Sequence, residues 1–152
     1  KYFKINTLVT DFSIYWDLEI LKMSDKISYS IEYDFHASKQ MLFQYLSTPS
    51  GLGEWFADNV NSRGESFTFI WDGAEEYAKL LQKKNNERVR FQWSVDEEEG
   101  NPYYFEFKIQ VDDLTNDVSL IVTDFAEEDE LEESKMLWDN LISSLKQTLG
   151  SS

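Results

Sequence analysis

Residues 26–35, KISYSIEYDF, alternate strictly, with Ile27, Tyr29, Ile31, Tyr33 and Phe35 on one side and Ser28, Ser30, Glu32 and Asp34 on the other. A period of two predicts a β-strand with one buried face. The period changes over 37–47, ASKQMLFQYLS, where Ser38 is placed to cap a short helix burying Met41, Leu42, Tyr45 and Leu46. Pro49 and Gly51 end it. A second short helix over about 52–57 carries Trp55 and Phe56, and the glycines of SGLG let the chain turn between the two. Strands follow at 66–73, weakly at 76–84, and then at 89–95, 103–111 and 118–125. The turns between them are Asp72-Gly73, the polar NNER, the loop 97–102 and DLTND at 113–117. From there the chain is helical to its end. Leu131, Met136, Leu137, Trp138, Leu141, Ile142, Leu145 and Leu149 recur at three- and four-residue steps. Glu127, Glu128, Asp129 and Glu130 at the start and Lys146 and Gly150 at the end give the charge order that a helix dipole favours.

One strand, two short helices, a run of antiparallel strands and one long helix make an α+β domain. Each strand buries a single face, so the sheet needs a cover, and only the last helix, roughly 28 Å long, is large enough to supply it. A twisted sheet curls around such a helix. One helix does not fill a whole concave face, so a cavity between sheet and helix is physically natural, with the two short helices and Trp55 and Phe56 as the plug at one end.

Composition narrows the function classes. A chain of 152 residues is one domain with room for a full core. It has no cysteine, which excludes disulfides and thiolate chemistry and fits a reducing, cytoplasmic setting. Acidic residues number 29 against 14 basic ones, a formal charge of -15. Nucleic-acid binding needs a positive footprint, and none of any size is visible along the sequence. Anionic membrane surfaces are disfavoured for the same reason, and no apolar run reaches the ~18 residues of a membrane span. Residues 1–22 begin without Met and match no secretory signal pattern. With a natural start available at Met23, they are expected to be an extension, leaving 23–150 as the domain. The opposite expectation is a helix or strand that packs on it.

The segments LSTPSGLGEWFADNV, FTFIWDG, RVRFQWS, VSLIVTDF and LWDNLISSLKQTLG resemble, in order and spacing, the START-like proteins. The branch most similar is the one named for the activator of heat-shock protein 90 ATPase. The wider group includes polyketide cyclases, the birch-pollen allergen and lipid-transfer START domains. The resemblance covers about Met23 to Gly150 and is a distributed pattern of aromatic and turn positions. It implies a helix-grip fold, a curved antiparallel sheet around a long C-terminal helix with a hydrophobic cavity between. Residues 1–22 have no counterpart in it, and the short loop after Gly73 is expected to narrow the cavity.

Catalytic and metal signatures are missing from the sequence. His36, the one histidine, falls where the first strand ends, a place for a loop or cap. There is no G-x-S-x-G, no Walker A and no G-x-G-x-x-G, and SGLG is too short to cradle phosphate. The acidic runs 96–99 and 127–133 lack the spacing of a calcium loop. Glu106 opposes Phe105 and Phe107 and is expected to face water. Asp124 shares the inward parity of Val118, Leu120 and Val122, with a helix cap as its preferred role. No catalytic residue, metal or cofactor is therefore assigned.

The candidate ligand-binding residues are Trp55, Phe56, Phe69, Trp71, Phe91, Trp93, Phe107, Trp138 and Ile142. Each either lines a pocket or fills a solid core, and the sequence leaves the two open. Three functions remain: a binding protein for a small hydrophobic, aromatic or lipid-like molecule; a protein-interaction module of chaperone-cofactor type acting through an acidic surface; and a cyclase or hydrolase. The first is favoured, because no polar catalytic cluster supports the third.

Overall fold

A computed structural model describes residues 26–150, so the expectations for residues 1–22 and for a start at Met23 lie outside the described residues. Its elements are β1 (Lys26–Phe35), α1 (Lys39–Ser47), α2 (Pro49–Leu52), β2 (Asn59–Arg63), β3 (Ser66–Trp71), β4 (Ala74–Lys84), β5 (Arg88–Trp93), α3 (Ser94–Glu98), β6 (Phe105–Val111), β7 (Val118–Glu127) and α4 (Leu131–Leu149). The strands form one seven-stranded sheet in the order β1-β7-β6-β5-β4-β3-β2, antiparallel throughout. Strands β2 to β7 are a meander. The chain reaches its far edge from β1 through α1 and α2, which close one end, and α4 returns from β7 across the concave face. This is the helix-grip fold that the resemblance implies.

Local chemistry sets the boundaries. The Ser38 hydroxyl accepts from the Met41 amide at 3.1 Å and caps α1. Asp72 and Gly73, with φ of 49° and 83°, make the two-residue connection from Trp71 to its cross-strand partner Ala74. Positive φ at both turn positions is what a type I′ hairpin requires. Gly150 ends α4 in the left-handed conformation at φ 71°, as its place in the sequence predicts.

Five expectations are corrected. Helix α1 buries Leu42, Phe43 and Leu46 and leaves Met41 exposed, a rotation of about one residue, or ~100°. The second helix is Pro49–Leu52, and Trp55 and Phe56 follow it in a turn. Strand β5 stops at Trp93, because Ser94–Glu98 turn helical with Asp96 and Glu97 in the first turn, and Val95 is exposed. Glu127 ends β7 and Glu128–Glu130 form a 3-10 turn, so the acids in the first turn of α4 are Glu132 and Glu133. Met136 lies off the buried stripe of α4, which is Trp138, Ile142 and Leu145. Strand β2 is an addition. Its sequence NVNSR is polar and buries only Val60, so no alternation marks it.

Candidate functional site

The region between sheet and helix is filled by aromatic rings. Phe56 is at its centre, 1% exposed, with ring centroids 5.2 Å from Phe69, 5.6 Å from Trp71, 5.7 Å from Phe105 and 6.0 Å from Trp138. Spacings of 4.5–7 Å are those at which aromatic pairs attract beyond simple area burial. Trp93 packs on Phe69 at 5.5 Å and on Phe105 at 5.1 Å. Phe91 packs on Phe67, Phe107 on Trp55 and Trp138, and Ile142 is buried beneath α4. All nine candidate residues are therefore buried in one cluster.

The plug that carries Trp55 and Phe56 is held by backbone acceptors. Trp55 Nε1 donates to the Tyr45 carbonyl at 2.8 Å, and Trp71 Nε1 donates to the Phe56 carbonyl at 2.9 Å. The Asp72 amide donates to Asp58 Oδ2 at 2.7 Å and ties the β3–β4 turn to the end of the plug. Gly51 is needed for a different reason from the sharp turn expected of it. A Cβ there would meet the Gln44 carbonyl oxygen and lie 2.6 Å from Tyr45 Cα, so only glycine lets α2 lie against α1.

An open groove of about 530 Å³ lies outside this cluster, between the plug and α4. Its lining combines the half-buried Leu137 and Leu141 and the edges of the buried Trp55, Phe56 and Trp71 with the polar groups of Glu54, Asp58, Asn140 and Ser144. Leu137, Asn140, Leu141 and Ser144 recur at three- and four-residue steps, so the groove runs along one face of α4. The helix pattern contains this signal, but nothing local in the sequence says that the plug lies beside it.

Two carboxylates on the strands are buried. Asp124 accepts from Trp138 Nε1 at Oδ2, 2.9 Å, and from the Phe125 amide at Oδ1, 2.8 Å. It links sheet to helix instead of capping α4, whose N-terminus has no side-chain cap. Beside it the Tyr29 hydroxyl hydrogen-bonds the Ser134 hydroxyl, and burial, with the Asp124 charge, pushes the Tyr29 phenol well above its ordinary value. Glu106 lies on the outer face as its parity predicts, but it is covered, not solvated. Arg90 Nε and its terminal nitrogen reach Oε1 at 2.8 and 2.7 Å, and the guanidinium lies 3.9 Å from the Tyr104 ring centre. His36 is exposed at the end of β1. Among the described residues no helix is long and apolar enough to cross a membrane.

Solved structures share this architecture. A Bacteroides fragilis protein determined by NMR is 38% identical, over 82% of this chain and 91% of that one, with a TM-score of 0.61. The Aha1 dimer from Colwellia psychrerythraea is 20% identical over 81% of this chain and 96% of that one, TM-score 0.68. CalU16 from Micromonospora echinospora is 18% identical over 80% and 75%, TM-score 0.63. The last two show likeness of fold. Among curated proteins none matches the chain. The model of the START-like superfamily domain matches residues 23–151, and the chain belongs to that superfamily.

Proposed function

We propose that this protein binds a small apolar or aromatic molecule in the groove between the plug and α4, whose floor is the edges of Trp55 and Trp71 over the buried Phe56. The observation that carries this is the groove itself. Its volume of about 530 Å³ suits a small ligand. Leu137 and Leu141 beside Asn140, Ser144, Glu54 and Asp58 suit a molecule with an apolar body and polar substituents. The deeper candidates, Phe69, Phe91, Trp93, Phe107, Trp138 and Ile142, act here as packed support that holds the floor rigid.

Native mass spectrometry of freshly purified protein, with Nile red titration beside it, tests this. A carried-over small molecule, or saturable Nile red uptake lost in Leu141→Glu, is the expected result. The variant places a charge on the groove wall; because Leu141 is half-buried against the core, a thermal melt of the variant is run beside the titration to show that it is folded. Uptake that is absent, or unchanged in Leu141→Glu, overturns the proposal.

A further inference from the structure

We propose that the outer face of the sheet over β4, β5 and β6 docks an acidic polypeptide segment. The register places Lys108 directly beside Arg88, and Arg88 directly beside Lys84, so three cations stand in a row across three strands. Neighbouring strands are ~4.8 Å apart, and like charges set opposite one another cost stability. The same face carries Lys79, and beyond Ser66 it carries Arg63. Their neighbours do little to neutralise this row. Among the described residues Lys84 pairs with Glu87, at 2.8 Å between two exposed side chains, the Arg88 charge acts on the same Glu87, and Glu106 is taken up by Arg90. Among the described residues Arg88 and Lys108 have no ion pair, and Arg88 Nε is shielded from solvent without a hydrogen-bond acceptor.

Three cations beside one exposed carboxylate, Glu87, leave a local excess of positive charge, and on a chain of formal charge -15 that excess is complementary to a short run of carboxylates. Nucleic acid fits this surface poorly. It carries a charge every ~1.7 Å over a long length. On the same sheet, beyond β6, it would meet Glu32, Asp34, Asp112, Asp113 and Asp117, which border a common groove. An acidic segment confined to the row avoids them, and carboxylates three or four residues apart on a helix, ~5–6 Å, match the spacing of the strands.

Fluorescence anisotropy of a labelled oligo-glutamate peptide with the full chain, at low and at physiological salt, tests the proposal, with oligo-deoxythymidine as the competing polyanion. Binding of the peptide that weakens with salt is expected, along with roughly tenfold weaker binding in Arg88→Gln and in Lys108→Gln. Lys135→Gln, which removes the same charge from α4, is expected to bind as the parent does. Lys108→Gln carries the test if Arg88→Gln does not fold. No peptide binding at low salt, tighter binding of the DNA, or an equal loss in Lys135→Gln overturns the proposal.

Discussion

The indole of Trp138 donates to the Asp124 carboxylate, Nε1 to Oδ2 at 2.9 Å, and this bond joins the middle of α4 to the concave face of β7. Both side chains are buried, at 0% and 7% exposure, so neither group has bulk water as an alternative partner. Trp138→Phe keeps most of the ring and removes the donor. The expected loss is about 1–3 kcal/mol, the cost of a buried acceptor left short of a donor. Asp124→Asn is expected to lose a similar amount, because both carboxylate oxygens accept and an amide presents a nitrogen to one of the two donors. Urea denaturation of both variants and of the double variant measures the coupling. A double variant that loses the full sum of the two would show that the bond contributes nothing.

Trp93 is held between Phe69 and Phe105 on the inner face of β5. Trp93→Ala is expected to leave a void and to cost about 3–5 kcal/mol. A loss below ~2 kcal/mol in chemical denaturation would mean that the ring borders open space instead of packed protein.

Gly51→Ala forces a methyl group against the backbone of Gln44 and Tyr45. Backbone does not yield as a flexible side chain does. A destabilisation of about 1–3 kcal/mol is expected, the range for an overpacked site. The test is thermal melting beside Gly53→Ala, whose nearest contact for a Cβ is a looser 3.2 Å. A smaller loss at position 51 than at position 53 would contradict the geometry.

Asp96 is 8% exposed, and burial raises its carboxyl above the ordinary aspartate value of 3.8, against the opposing effect of a hydrogen bond from Asn101. The folded state therefore holds its proton more tightly than the unfolded chain. That contribution to stability is complete below pH 3.8 and is lost as pH rises through the raised folded value. Asp96→Asn keeps an oxygen to accept from Asn101 and carries no charge. It is expected to melt higher than the parent at neutral pH, with the difference shrinking as the solution is acidified below the raised value. A difference that is independent of pH would show that the Asp96 charge is not the cause.

Sequence alone determined what depends on local periodicity and chain geometry. The alternation of Ile27, Tyr29, Ile31, Tyr33 and Phe35 marked β1, although Ile27 is exposed in the fold; the Ser38 cap marked the start of α1, Asp72-Gly73 its hairpin, and the three- and four-residue steps from Leu131 to Leu149 marked α4, although Met136 is exposed. These signals are legible because a residue's neighbours one to four positions away fix its face. Tertiary structure alone decided the rest. NVNSR is a strand only because β3 lies beside it, and Gly51 is required only because α2 packs on α1. Asp124 meets Trp138, and Lys108 meets Arg88, across separations that no local pattern encodes, since sheet register and helix docking bring them together. The groove between the plug and α4 belongs to the same class. Its walls come from distant segments, and their meeting depends on how α4 returns across the sheet.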